Sequence, residues 1–395
     1  MVSSLGYHTM ELSLKLTVDE SLQLMQTFEK NKDVYIKNNH NGSVYQRSVY
    51  YYIGYRQPYK GLSWTLRYCK HPPEYMQIVS HKVEDRCCSI KARINPKILL
   101  GLDDYIASAD GTYLKDLIAV FNQEAKKLSP ILKDFSSYSV NRIDYCVNFD
   151  LEDLRIGLYP ADYMVLIQQA DIPNHFIEHK EYQGTTHRKK PGLNSFYLKN
   201  NSVHINCYWK YYQLQTQFPS VPYIDDSFYI IRFEVQCLYL KTHLMQKQIK
   251  DYDNFENLIS VMLSDELCQK VLASYYYKTI GRGDYYSLDA ARKKIKSMNF
   301  NQNKEDRLLK ALKLVNLHRG IFKAKSHLQG KELADLKRSI IDLGEIGINP
   351  VTIPRERGIK FLPNLLNTYL ANREAAEKAF AEYYKQDKIS QTQIG

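Results

Sequence analysis

To open a phosphodiester without hydrolysing it, a protein needs a hydroxyl that can hold a phosphoryl group. It also needs carboxylates that can hold a divalent metal, and a cation beside both. Three segments of this 395-residue chain, 139–147, 204–210 and 231–235, carry such groups inside otherwise strand-like apolar runs. Side chains alternate faces along a strand. The first segment therefore sets Arg142 and Asp144 opposite Ile143, Tyr145 and Val147. The second sets His204, Asn206, Tyr208 and Lys210 opposite Ile205, Cys207 and Trp209. The third sets Arg232, Glu234 and Gln236 opposite Ile231, Phe233 and Val235. If these strands are neighbours, one sheet face presents two carboxylates, a tyrosine, a lysine and a histidine. That is the inventory of a metal-dependent tyrosine nuclease.

Each group has a definable task. A phenol ordinarily ionises near pH ~10, so a tyrosine nucleophile needs help at neutral pH. An ammonium such as Lys210 stabilises the pentavalent oxyanion or the phenolate. Asp144 and Glu234 are the expected ligands of a divalent ion, Mg²⁺ or Mn²⁺, with His204 as a third. Same-face pairing of Asp144 with Arg142, and of Glu234 with Arg232, is the structural alternative for both carboxylates. Tyr197, Tyr211 and Tyr212 are the other tyrosines near enough in sequence to serve as nucleophile. His175 and His179 would meet on one face if that segment were helical, a weaker candidate zinc pair.

The elements that must position these residues read as α+β. Strands are expected at 10–16, 47–55, 62–69, 88–94, 139–147, 195–199, 203–212 and 228–238. Thr17 with Glu20 forms a capping box opening a helix to about Lys30. Asn95-Pro96 starts a short helix, 111–128 has an amphipathic stripe of Leu114, Leu117, Ile118 and Phe121, and 160–169 is a further helix. A polar stretch at 179–191 is expected to be an exposed loop. Beyond His243 the pattern turns helical, at 253–272, 288–298, 304–324, 331–343 and 362–384, punctuated by Gly281–Asp284 and 347–354. The expected layout is an antiparallel-sheet nuclease domain over 1–245 and a basic all-α domain over 246–395.

Charge supports that division. The net charge is +11, and residues 291–395 hold 21 Lys+Arg against 11 Asp+Glu, whereas the first 290 residues are balanced at 33 against 32. A basic tail on a neutral body points to a polyanion, with nucleic acid favoured. The 33 tyrosines are compatible with stacking on unpaired bases. Arg142 and Arg232 on the strands, and Arg292, Lys293 and Lys294 in the tail, are the expected DNA contacts. No apolar run approaches the ~20 residues of a membrane span, and the N-terminus lacks a signal-peptide layout, so the expected location is cytoplasmic, with no membrane partner. Seven cysteines without a Cys-x-x-Cys spacing exclude a zinc ribbon and read as reduced apolar fillers.

The segments 139–144, 208–214 and 231–235, followed by Tyr239-Leu240-Lys241, resemble the gene II replication-associated protein of filamentous phages and the rolling-circle initiators of related plasmids. Segment 89–97 is similar to an earlier strand-then-helix block of that family, and Gly283–Tyr286 resembles a plasmid-type accessory region. The resemblance covers roughly residues 85–245. It implies a Rep/relaxase-like fold and an enzyme that nicks one strand at a duplex origin, stays joined to the 5′ phosphate, and leaves a 3′ hydroxyl primer. It places the nucleophile on Tyr208 and the acids on Asp144 and Glu234. Implied partners are duplex and single-stranded origin DNA, a host helicase and a DNA polymerase, with a homodimer as one arrangement. The chain has Gln213 where the family often has Glu, and it lacks a His-hydrophobe-His motif. A conjugative relaxase would share the chemistry. A non-catalytic DNA-binding replication regulator would share the fold without it.

Overall fold

Alternation of apolar and polar residues builds the sheet. The structure, a computed structural model, describes residues 5–29, 34–40, 49–57, 61–69, 88–102, 105–179, 182–183, 190–191, 194–217, 220, 222–249 and 254–392. Its strands are β1 (Leu5–Lys15), β2 (Val34–His40), β3 (Val49–Gln57), β4 (Leu62–Cys69), β5 (Ser89–Ile94), β6 (Ser139–Asp150), β7 (Ile177–His179), β8 (Tyr182–Gln183), β9 (Lys190–Pro191), β10 (Ser195–Lys199), β11 (Val203–Trp209), β12 (Ile230–Cys237), β13 (Tyr285–Tyr286) and β14 (Phe361–Leu362), and because the last two pair with each other the half expected to be all-α holds a small antiparallel sheet. Among the described residues, ten of these form one antiparallel sheet in the order β2-β3-β4-β5-β1-β6-β12-β11-β10-β7. The expected neighbours β6, β12 and β11 are indeed contiguous.

Helices cover the apolar face. In β5, Ile90, Ala92 and Ile94 are buried while Lys91 and Arg93 face solvent. At the β4–β5 end the cover is helix Val18–Glu29 and helix Leu114–Leu128, with Trp64 5.5 Å from Phe121 between ring centroids. The capping box forms: Thr17 N–H donates to Glu20 at 2.8 Å and Glu20 N–H donates to the Thr17 hydroxyl at 3.2 Å. At the β6–β12 end the cover comes from helix Asp265–Thr279 and helix Leu365–Thr392. There Phe149 lies 5.9 Å from Tyr276 and 6.2 Å from Tyr369, and the Tyr145 hydroxyl donates to the Met262 carbonyl at 2.7 Å. Burying side chains of this size contributes roughly 1.5–3 kcal/mol each. One apolar cluster runs from Leu5 to Tyr369, through the division expected near residue 245. The shift in charge along the sequence is therefore not a break in the core.

Several expected elements differ in detail. The first strand begins at Leu5, not Met10. β11 stops at Trp209, and helix Lys210–Gln217 takes over where alternation had continued the strand to Tyr212. The expected helix 253–272 is two, Phe255–Met262 and Asp265–Thr279, because Ser264 caps a new one by accepting from Leu267 N–H at 3.3 Å. The expected helix 304–324 breaks at Arg319 and Gly320, whose φ values of 52° and 142° lie outside the helical region. His175 has φ 70° and His179 ends β7, so the two histidines do not share a helix face. The expected loop 179–191 contains the described short strands β8 and β9, and its other residues, 180–181 and 184–189, fall outside the described residues.

Candidate active site

The polar face of β6, β12, β11 and β10, together with the start of β1, forms a cleft of about 320 Å³. Its register is fixed by pairing: Asp144 lies opposite Gln236, Asn206 opposite Glu234, Tyr208 opposite Arg232 and His204 opposite Gln236. Period-two alternation delivers Arg142, Asp144, His204, Asn206, Tyr208, Glu234 and Gln236 to the cleft as the sequence predicts. Lys210 arrives by another route. It is the first residue of helix Lys210–Gln217 and is buried, with Nζ 6.0 Å from the Tyr208 ring centroid. Its Nζ donates to Gln213 Oε1 at 2.6 Å. Tyr212, on the same helix, packs its ring 4.8 Å from Trp209 and is exposed, whereas Tyr197 lines the cleft with its ring 6.3 Å from that of Tyr208.

Tyr208 lies on the cleft floor, 7% exposed, and its hydroxyl donates to Glu234 Oε2 at 3.3 Å. Burial first, then the Glu234 charge, holds its pKa well above the ordinary phenol value, while Arg232 pulls the other way. The resting group is a phenol whose proton already points at a base. Glu234 also accepts from Gln236 at 2.6 Å and from Asn206 at 3.4 Å, which fixes its carboxylate plane.

Arg232 is a correction. As an expected DNA contact it would need a surface position, but it is fully buried beneath the Tyr105–Ala109 segment. Nε donates to Asn148 Oδ1 at 2.7 Å, Nη2 donates to the Ile106 carbonyl, Nη1 makes no hydrogen bond of normal length among the described residues, and the guanidinium interacts with the Tyr208 hydroxyl. Asn148 donates to the same Ile106 carbonyl at 2.7 Å. The segment is clamped where Ala109 exchanges two backbone hydrogen bonds with Tyr7, of 2.8 and 3.0 Å. Gly6 permits that crossing, since a Cβ there would stand 2.0 Å from the Ala109 carbonyl oxygen. Any larger residue would push the cover off the arginine.

Arg142 keeps its place at the cleft but faces carboxylates. It grips Asp144 with two bonds of 2.6 and 2.7 Å and reaches Glu11 at 3.5 Å. Burial pushes the Asp144 carboxyl up to about 7, the Arg142 fork pulling it back and the nearby Glu234 charge pushing it further. Two like charges at one buried place suit a hard divalent ion held by one or two carboxylates, with water and phosphate completing its shell. The three-ligand set does not form. Among the described residues no three His, Cys, Asp or Glu side chains are arranged to hold an ion, and His204 Nδ1 is 3.3 Å from Gln236 Oε1. Burial lowers the His204 pKa, so its imidazole is neutral.

One cleft residue has no signal in the alternation. His8 sits where β1 slips register against β6, between Tyr7 and Thr9. Burial, then the charges of Arg232, Lys210, Arg93 and Arg142, keep its imidazole neutral, well below the ordinary value. Bulges commonly re-aim side chains beside active sites. The five described cysteines are buried and free, and Cys69 and Cys87 fall outside the described side chains.

In the helical half, Lys293 is exposed and Arg292 pairs with Asp289 at 3.6 Å. Lys294 turns inward to Tyr286 Oη at 2.8 Å and the Gly347 carbonyl at 3.4 Å, so it is a structural contact. Among the described residues no helix is long and apolar enough to cross a membrane.

No family model and no curated protein matches the chain. Among solved structures it is similar to a rolling circle replication initiator protein from Geobacillus stearothermophilus, with a TM-score of 0.29 and 10% identity, over 70% of this chain and 85% of that one.

Proposed function

We propose that the chain is a rolling-circle DNA replication initiator that nicks one strand through Tyr208 and stays joined to the 5′ phosphate. One arrangement carries this reading: a tyrosine hydroxyl on a cleft floor, 3.3 Å from a carboxylate, with a fully buried arginine and a buried lysine beside it. In the step, the Tyr208 oxygen bonds to phosphorus and the bond from phosphorus to the 3′ oxygen breaks. The phenol proton passes to Glu234, and the departing 3′ oxygen takes its proton from water. The freed 3′ hydroxyl then serves a polymerase as primer, and a helicase would open the duplex ahead of it.

The cations prepare the buried Tyr208 to ionise. A phenolate in a low-dielectric site is costly unless compensated, and Arg232 and Lys210 supply that compensation. In the resting state the Arg232 guanidinium meets a neutral Tyr208 hydroxyl. That interaction strengthens when negative charge develops on the Tyr208 oxygen, so the arginine favours the transition state over the ground state. A divalent metal, Mg²⁺ or Mn²⁺, would be held by Asp144 and Glu234, and would offset charge on the phosphate.

A labelled single strand carrying the nick sequence tests this. Wild type should leave a protein–DNA adduct that survives denaturation, and Tyr208→Phe, which keeps the ring, should leave none while binding the strand normally. An equal adduct with Tyr208→Phe would sink the proposal.

A further inference from the structure

A second cleft, of about 1040 Å³, opens in the helical half between helix Leu288–Ser297, the turn at Arg319 and residues 352–360. Four cations line it: Lys293, Arg319, Arg355 and Lys360. All four are exposed, and none has an ion-pair or hydrogen-bond partner for its side chain among the described residues. Neighbouring cations are neutralised: Arg292 by Asp289, Arg357 by Asp162 and Lys325 by Asp171. Two carboxylates also line the cleft, Asp289, taken up by Arg292, and Glu356.

The walls are built. Ser287 N–H donates to the Lys360 carbonyl at 2.9 Å, Ile353 N–H to the Tyr286 carbonyl at 2.9 Å, and Asn316 to the Thr352 hydroxyl at 2.8 Å. The turn bearing Arg319 is pinned through Ile321 N–H to the Gln169 carbonyl at 2.9 Å, and a Cβ on Gly320 would stand 3.2 Å from that oxygen. Four unpaired charges are thus held around one space before any partner arrives. Gathering them costs repulsion that a polyanion relieves.

We infer that this cleft grips the phosphodiester backbone of duplex DNA, apart from the strand cut at Tyr208. The lining decides between duplex and single strand. In a chain with 33 tyrosines, no aromatic side chain among the described residues lines this cleft. Sites for unpaired strands stack bases on aromatic rings, whereas backbone grip on a duplex needs only cations and polar donors. The inference rests on the nicking proposal only in supplying DNA as the polyanion, and its test involves no chemistry.

The test uses full-length protein carrying Tyr208→Phe, titrated against a short labelled duplex of arbitrary sequence and against oligo-dT over a range of salt. Replacing Lys293, Arg319, Arg355 and Lys360 by Ala should weaken duplex binding by about a hundred-fold or more at ~0.1 M salt and make the log–log salt slope shallower by about 3. Oligo-dT binding should move much less. Glu356→Gln, a change at an exposed side chain, should tighten duplex binding several-fold. Unchanged duplex affinity and slope in the four-site variant, or no gain with Glu356→Gln, would overturn the inference. An equal loss for oligo-dT would overturn the assignment to duplex.

Discussion

The two clefts use positive charge in opposite ways. At the sheet, Arg232 and Lys210 are buried, and Arg142 is locked onto Asp144 and Glu11. In the helical half, Lys293, Arg319, Arg355 and Lys360 are exposed and unpaired. A buried, oriented charge interacts strongly because little solvent screens it, so it can favour one atom of a transition state. An exposed charge is weak and salt-sensitive singly, but several add up to affinity without specificity for any atom. One cleft is built for a reaction and the other for a grip, and substitutions should separate the two properties.

The largest effect should come from Glu234. Glu234→Gln keeps the size and the hydrogen bonds to Asn206 and Gln236 while removing the base for Tyr208 and a metal ligand. Single-strand nicking should fall by about a hundred- to ten-thousand-fold, with duplex affinity unchanged. Nicking within a few-fold of wild type would leave Tyr208 without its base. Arg232→Lys comes next. It keeps a charge but cannot hold Asn148, the Ile106 carbonyl and the Tyr208 oxygen together. Adduct formation should slow by about ten- to a hundred-fold and its rate should peak at higher pH, because the phenolate loses stabilisation. A shift in melting temperature alone, with rate and pH profile unchanged, would make Arg232 purely structural.

A smaller effect should appear in stability. Folded Asp144 holds its proton up to about 7, whereas a free aspartate loses it near ~4. Between those values the folded state binds more protons than the unfolded, so this carboxyl's contribution to stability falls as pH rises. Relative to Asp144→Asn, wild type should lose stability from about pH 4 to 7 and level off above. Chemical denaturation across that range would show it, and a flat difference would mean that the Arg142 fork dominates.

Much of the reactive cleft was legible in the sequence. Polar residues interrupting β-branched and aromatic runs at a period of two have few explanations other than a functional sheet face, and Asp144, Glu234, His204 and Tyr208 all reach it. What was not legible lay where periodicity changes. His8 sits at a bulge in a segment whose Gly6 and Thr9 blur alternation, so the strand could be read only from Met10. Lys210 fits the strand pattern and yet begins a helix, which moves Tyr212 out of the face it would otherwise share with Tyr208. Arg232 passed for a surface cation because its cover, Tyr105–Ala109, is remote in sequence and held through Gly6. Of the second cleft only the basic excess and Lys293 were legible, since Arg319 and the segment bearing Arg355 and Lys360 reach it only through packing.

The central claim is that the Tyr208 oxygen becomes the phosphoryl ester, and mapping the DNA-linked peptide tests it most directly. After reaction with a short single strand, nuclease trimming and proteolysis, mass spectrometry should find the nucleotide on the peptide containing Tyr208, with fragmentation placing it on that residue and not on Tyr211 or Tyr212. Tyr197 lines the same cleft with its ring 6.3 Å away, and is the sharpest competitor. Nucleotide found on Tyr197, or on any residue but Tyr208, would contradict the account.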